Sequence, residues 1–310
     1  MFCKRFPWKK KKSHWYNFRE WFKPISTRIM KTWFLILGWS LSILIMTGNG
    51  FIICLVCNKR RLRTKTNAFI VSLAVADFCV GMSAFPLLYV CNKANMCNHL
   101  HILLSIVRNF FAYASVTNLC SLVLDRYIAV VKPLKYLAFM SRRRVIQMVL
   151  FSWAIPAAII TIYTLEIFLF KVLLFFSILM WLITIFFEFL PSAMLIFFFV
   201  SMLRVVIKQN RTARSLKRQL SFNHRVSFKT QEKSSIVMMA IVISVFLVCY
   251  GFYLRCSILV IFSDRYKFCP DLEYKISLLM LNSAINPLAY SFFKRDINKE
   301  IRRSVLCYSA

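Results

Sequence analysis

The sequence predicts an all-α membrane protein: a bundle of seven transmembrane helices with a short amphipathic C-terminal helix. Three observations carry this. Of 310 residues, 59% are hydrophobic, and 31 are phenylalanine. Seven apolar runs, at 33–57, 68–90, 102–131, 145–165, 172–207, 236–262 and 276–293, are each long enough to cross a bilayer and use up most of the chain. The basic residues gather in alternate links between those runs. A soluble domain would hide so much apolar surface only with difficulty, so the chain reads as one polytopic membrane domain.

The net charge of +31 could suit nucleic acid, but its distribution argues for a membrane orientation instead. Lys59, Arg60, Arg61, Arg63 and Lys65 follow the first run, and Lys132, Lys135 and Arg142 to Arg144 follow the third. Residues 204–233 carry nine cations and 294–303 carry five, whereas the links at 91–99, 166–171 and 263–275 are poor in Lys and Arg or balanced by acids. The basic links are therefore expected in the cytoplasm with the C-terminus, and the N-terminus outside.

Residues 1–31 disagree, with ten Lys or Arg against Glu20 alone. Three readings stay open: internal signals override this segment, the topology differs, or the segment lies outside the natural product, for which Met30 offers an alternative start. No cleavable signal peptide is visible, so the first helix is expected to act as signal anchor. The expected division is 1–32, a basic segment; 33–293, the helix bundle; and 294–310, an amphipathic helix and tail. The sequon at Asn210 falls in an expected cytoplasmic link and should stay unglycosylated.

Taken in order, the runs carry polar residues that lipid alone would not tolerate. The first holds Gly48-Asn49-Gly50 and the second Asp77, a carboxylate near mid-bilayer and so a functional-site candidate. The third offers Ser115 and Asn118, then ends in Asp125-Arg126-Tyr127, where water can reach the ion pair, before Lys132-Pro133-Leu134 and a basic loop. Trp153 marks the fourth run and Pro191 the fifth. The seventh holds Asn282-Ser283 and Asn286-Pro287-Leu288-Ala289-Tyr290; a basic amphipathic tract to Arg303 and then Cys307 follow. Cys307 reads either as a palmitoylation site or as an unmodified thiol.

In order and one per run, Gly-Asn, Leu73-Ala74-x-x-Asp77, Asp-Arg-Tyr, Trp, Pro and Asn-Pro-x-x-Tyr resemble the rhodopsin-like (class A) G-protein-coupled receptors. The resemblance implies coupling and switching roles for Asp125, Arg126, Tyr127, Asn286, Pro287 and Tyr290, with Glu232 as the acid that pairs with Arg126 at rest. It also implies a sodium pocket at Asn49, Asp77, Ser115, Asn282, Ser283 and Asn286. One carboxylate among neutral oxygens suits a hard cation of low charge, although the same residues also suit a hydrogen-bond network that holds helices together.

Departures from the family bear on function. The sixth run has Tyr250 for the usual Trp and Phe252 for the usual Pro, so a straighter helix with weakened switching is expected. No cysteine lies between Cys120 and Cys249, so the family's usual outer disulfide cannot form; Cys91, Cys97 and Cys269 leave another outer pairing open. The short second outer link resembles receptors of the melanocortin, cannabinoid, lysophospholipid and adenosine group. The expected ligand pocket comprises Arg108, Asn109, Ala112, Tyr113, Glu188, Tyr250, Tyr253 and Met280. Arg108 stands where aminergic receptors place an Asp, which favours a small anionic or lipid-like ligand or a peptide over a biogenic amine; the alternative is an internal pair with Glu188. Met280 stands at the position of an opsin's retinal-binding lysine, so no retinal is expected.

The expected function is transmission of an extracellular ligand's signal to a heterotrimeric G protein at the plasma membrane, with membrane lipid as a further partner and no nucleic acid. No cofactor is expected beyond an allosteric sodium ion. Four scattered histidines and no nucleophile beside a base give no support to an enzyme. A silent decoy or heteromer partner is one alternative; a transporter or channel, lacking inverted repeats, is another.

Overall fold

In a bilayer every backbone N–H and C=O must find a partner within the protein, and helices achieve this segment by segment. The protein, seen in a computed structural model, is described over residues 32–93, 97–170, 173–219, 230–263 and 272–306. The helices are α1 (Thr32–Asn58), α2 (Lys65–Ser83), α3 (Pro86–Lys93), α4 (Cys97–Val131), α5 (Pro133–Phe139), α6 (Arg142–Leu165), α7 (Leu173–Thr184), α8 (Leu190–Gln219), α9 (Thr230–Ser263), α10 (Leu272–Phe293) and α11 (Arg295–Leu306). Among the described residues there is no strand. Six spans are long and apolar enough to cross a membrane, and α9 adds a shorter apolar stretch at Val237–Phe252. The seven-helix bundle with its C-terminal helix is thus the fold.

Local chemistry sets the boundaries. Thr64 and Ser141 cap α2 and α6, their hydroxyls accepting from the backbone N–H groups of Asn67 and Arg144. The second run, expected to be continuous over 68–90, is broken at Ala84 and Phe85, because Pro86 has no N–H to donate to the preceding turn and instead starts α3. The basic loop expected after Lys132 contains helix α5, started by Pro133. Residues 166–170, expected in an outer link, continue α6 as a π-turn; this apolar Glu-Ile-Phe-Leu-Phe segment keeps its backbone bonded within the helix. A second π-turn, Ile185–Phe189, joins α7 to α8, with Leu190 N–H donating five residues back to Ile185. Helix α9 runs without a break from Thr230 to Ser263.

Helix α2 is central, packed against α1 and α4, while α10 packs on α1 and α9. Large apolar side chains such as Phe151 and Phe292 point outward, as suits a lipid-solvated surface. Helix α11 buries Ile297 completely and exposes Arg302 and Arg303, the expected amphipathic division. Cys91 is disulfide-bonded.

Candidate functional site

Three polar clusters sit at successive levels of the bundle. The middle one surrounds Asp77, which is fully buried. Its Oδ1 accepts from Ser115 Oγ at 2.6 Å and its Oδ2 from Asn286 Nδ2 at 2.7 Å, tying α2, α4 and α10 together. Asn49 Nδ2 donates to its own helix at Ile45 O, 3.0 Å away, and to the carbonyl of Ser283 at 3.4 Å. Pro287 lies four residues after Ser283 and has no N–H for that carbonyl, so the first-helix amide serves an acceptor that the proline leaves exposed. Gly48 is needed at the same junction, since a Cβ there would lie 2.9 Å from Pro287 Cγ.

Three buried amide oxygens, Asn49 Oδ1, Asn282 Oδ1 and Asn286 Oδ1, take no hydrogen bond, and neither does the Tyr290 hydroxyl. Buried acceptors left without donors are costly, and a small cation beside the Asp77 carboxylate would offset that cost. The donor set therefore fits sodium chemically.

At the basic end, Asp125 is fully buried and is held from several directions. Arg126 donates through Nε at 3.0 Å and through its terminal nitrogen at 2.7 Å; Thr66 Oγ1 donates at 3.1 Å, and Tyr136 on α5 donates to the other oxygen at 2.9 Å. Arg126 also donates to Thr66. Burial, the largest influence, pushes the Tyr136 hydroxyl above its ordinary range, so it stays a donor at neutral pH. Beside this knot, Asn67 donates to Leu62 O at 2.6 Å and accepts from Lys294 at the junction of α10 and α11. The sequence pointed to Asp125 and Arg126 but missed Thr66, Asn67, Tyr136 and Lys294. Tyr136 stands one turn into α5 after Pro133, a spacing that signals a clamp only once α5 is known to be helical.

Tyr127 lies outside the knot: its ring packs against Phe198 on α8 at a centroid distance of 4.6 Å. The side chain of Glu232, in the first turn of α9, is outside the described residues, so its expected pairing with Arg126 is too. Trp153 Nε1 donates to Ser72 Oγ at 3.0 Å, which donates to Asn118 Oδ1 at 2.6 Å, a chain that joins α6, α2 and α4.

Toward the opposite end lies a cavity of about 30 Å³. Arg108, Asn109, Ala112, Tyr113, Glu188 and Tyr250 line it, as the sequence suggested, together with Cys249, Lys275, Ile276 and Leu279, which it did not. Lys275 had been placed in an outer link, whereas the seventh helix begins earlier and brings it inside the first turns of α10. Met280 is fully buried in the apolar core with Phe34 and Ile45 and does not line this cavity. Tyr253 and Cys307 lie outside what is described of side chains. Two of the lining rings stack on neighbours behind them: Tyr113 on Phe187 and Tyr250 on Phe246, each with ring centroids 4.2 Å apart. A drug-sized ligand needs several hundred Å³, more than this cavity holds.

A family model described as 7 transmembrane receptor (rhodopsin family) matches residues 48–290, the span that holds all three clusters. The chain belongs to this rhodopsin family. Among the family's curated members, the octopamine receptor beta-2R of Drosophila melanogaster is 26% identical over 323 residues, covering 84% of this chain and 58% of that protein. The octopamine receptor beta-2R of Chilo suppressalis is 23% identical over 327 residues, with 86% and 77% covered. The Dopamine D2-like receptor of Drosophila melanogaster is 39% identical over 126 residues, 38% of this chain and 13% of that receptor. The chain thus matches less than two thirds of the length of either Drosophila receptor. None of the three belongs by name to the melanocortin, cannabinoid, lysophospholipid and adenosine group suggested by the short second link in the sequence.

Proposed function

We propose that this rhodopsin-family chain is a plasma-membrane receptor, N-terminus outside, that passes an extracellular ligand's signal to a heterotrimeric G protein. The observation that carries the proposal is the knot at Asp125: a buried carboxylate restrains Arg126 at the basic end of the bundle. Parting of α9 from this end frees Arg126 for a cytoplasmic partner, and a ligand in the Arg108 cavity biases that movement through Tyr250. Sodium beside Asp77 favours the restrained state. The test is ligand-independent G-protein dissociation in cells across a panel of Gα types, at matched surface expression. Loss on Arg126→Ala supports a signalling receptor, and signalling that survives the substitution overturns the role given to Arg126. A well-expressed chain that remains silent in every condition favours the decoy reading.

For the ligand, Arg108 and Lys275 line the cavity with Glu188, and a planar guanidinium in an apolar bundle suits an anionic group held by bidentate bonds. A second reading is an amine held by Glu188, favoured by the octopamine and dopamine receptors among the relatives and by the burial of this carboxylate in the cavity wall. Arg108→Gln abolishing the response supports the first; Glu188→Gln abolishing it while Arg108→Gln does not supports the second.

A further inference from the structure

The cavity beside Arg108 carries both signs of charge, on walls that come from different helices. Arg108 stands on α4, Lys275 on α10, and Glu188 in the π-turn Ile185–Phe189 between α7 and α8. We propose that this cavity takes a free α-amino acid, bound as its zwitterion with the carboxylate at Arg108 and the ammonium at Glu188. The proposal rests on the receptor reading above for the place of the ligand, and it names a ligand that is both anion and amine.

Electrostatics decides against a ligand of one sign. Glu188 is only 4% exposed, so water screens its charge poorly. An anion docked on Arg108 brings a like charge toward Glu188, and a cation docked on Glu188 brings a like charge toward Arg108 and Lys275. A zwitterion matches both walls and adds no net charge to a buried site. The direction in which it lies follows from a second, smaller hollow of about 10 Å³ on the other side of Arg108, shared with Ser83 and Ser105. Arg108 donates to Ser105 Oγ at 3.4 Å, whereas the Ser83 hydroxyl at the end of α2 is buried and makes no hydrogen bond. A carboxylate on the guanidinium gives that hydroxyl the acceptor it lacks, which an ammonium cannot do. The acid end of the ligand therefore lies toward α2 and the amine end toward the π-turn. There the Ser192 hydroxyl donates to Glu188 O at 2.6 Å and ties down the backbone that carries the acid. The rings of Tyr113 and Tyr250 and the side chains of Ala112, Ile276 and Leu279 leave an apolar remainder for the ligand's own side chain. An α-amino acid is among the smallest molecules that carry both charges, which suits a cavity of about 30 Å³.

The test uses the full chain purified in detergent. Each common α-amino acid is screened by the rise it gives in unfolding temperature, and the tightest is then compared by calorimetric titration with its decarboxylated amine and its deaminated acid. For phenylalanine these analogues are phenethylamine and 3-phenylpropionate. The zwitterion should bind at least about tenfold more tightly than either, the ratio that one hydrogen-bonded charge supplies. Arg108→Gln should lower the amino acid to the affinity of the amine and leave the amine's own binding in place; Glu188→Gln should lower it to the affinity of the acid and leave the acid's in place. Ser83→Ala should weaken the amino acid and the acid alike, about fivefold, and spare the amine. The analogue that each variant still binds shows that it is folded, and where a variant does not fold, the analogue series on the parent chain decides alone. An amine or an acid that binds as tightly as the amino acid overturns the proposal, and so does a screen in which no amino acid binds. Binding is read without a G protein, so its failure leaves the Arg126→Ala coupling test standing, and failure of that test leaves binding measurable.

Discussion

The side-chain amide of Asn49 donates to the carbonyl of Ser283 at 3.4 Å, the acceptor that Pro287 leaves without a helical donor. One residue earlier, Gly48 lets the proline ring approach. The first and seventh helices are thus joined by two adjacent residues that answer the steric and hydrogen-bonding consequences of one proline. Asn49→Ala should destabilise the bundle by ~1 kcal/mol, and Gly48→Leu by more, because the rigid proline ring cannot turn aside. Thermal unfolding of the purified chain in detergent checks both.

Asp77→Asn should abolish any sodium response. With the carboxylate present, sodium chloride is expected to raise the unfolding temperature above that in potassium chloride of equal ionic strength, since binding to the folded state alone stabilises it. The asparagine keeps the size but loses the charge that selects a cation among neutral oxygens, so the two salts should become equivalent.

Removing one donor from Asp125 should release Arg126 in part. Tyr136→Phe deletes the 2.9 Å bond from α5 and should raise ligand-independent signalling about fivefold, the ratio that ~1 kcal/mol supplies. Thr66→Val should act in the same direction. A second change, Arg126→Ala, should cancel the gain in either background, which separates release of the arginine from a general loosening.

Lys294 lies beyond the end of α10, and burial, assisted by the charge of Arg126, pushes its ammonium from 10.5 down to about 7. Between about pH 7 and 10.5 the unfolded chain keeps a proton that the folded chain has released, so stability should rise with pH through that window and level off below it. Lys294→Gln removes this term. The variant should exceed the parent in unfolding temperature at pH 6, and the gap should narrow as the pH is raised toward 10.

The small cavity beside Arg108 makes a steric prediction. Tyr250→Ala and Tyr113→Ala each remove one member of a stacked pair and should enlarge the cavity, with a stability cost of about 3 kcal/mol for loss of a packed aromatic ring. Faster ligand association with little change in the Arg108 dependence would show that the rings gate entry.

What the sequence determined by itself is the part of this protein that bilayer physics makes local. Hydrocarbon forces each crossing into an apolar run, and a charge placed in such a run is conspicuous, so the seven spans, Asp77 and the Asp125-Arg126 pair could be read one segment at a time. The same reading stopped where a helix boundary depends on a neighbour: it ran the second crossing through the break before Pro86, put Lys275 in a link, and took α5 for a loop. Only the tertiary structure decided which polar groups meet. Thr66 and Tyr136 are 59 and 11 residues from Asp125, and Ser283 is 234 residues from Asn49. Those partnerships follow from the rotation and depth of whole helices against one another, which are fixed by packing across the bundle, as when Gly48 lets Pro287 approach. No single run carries that information.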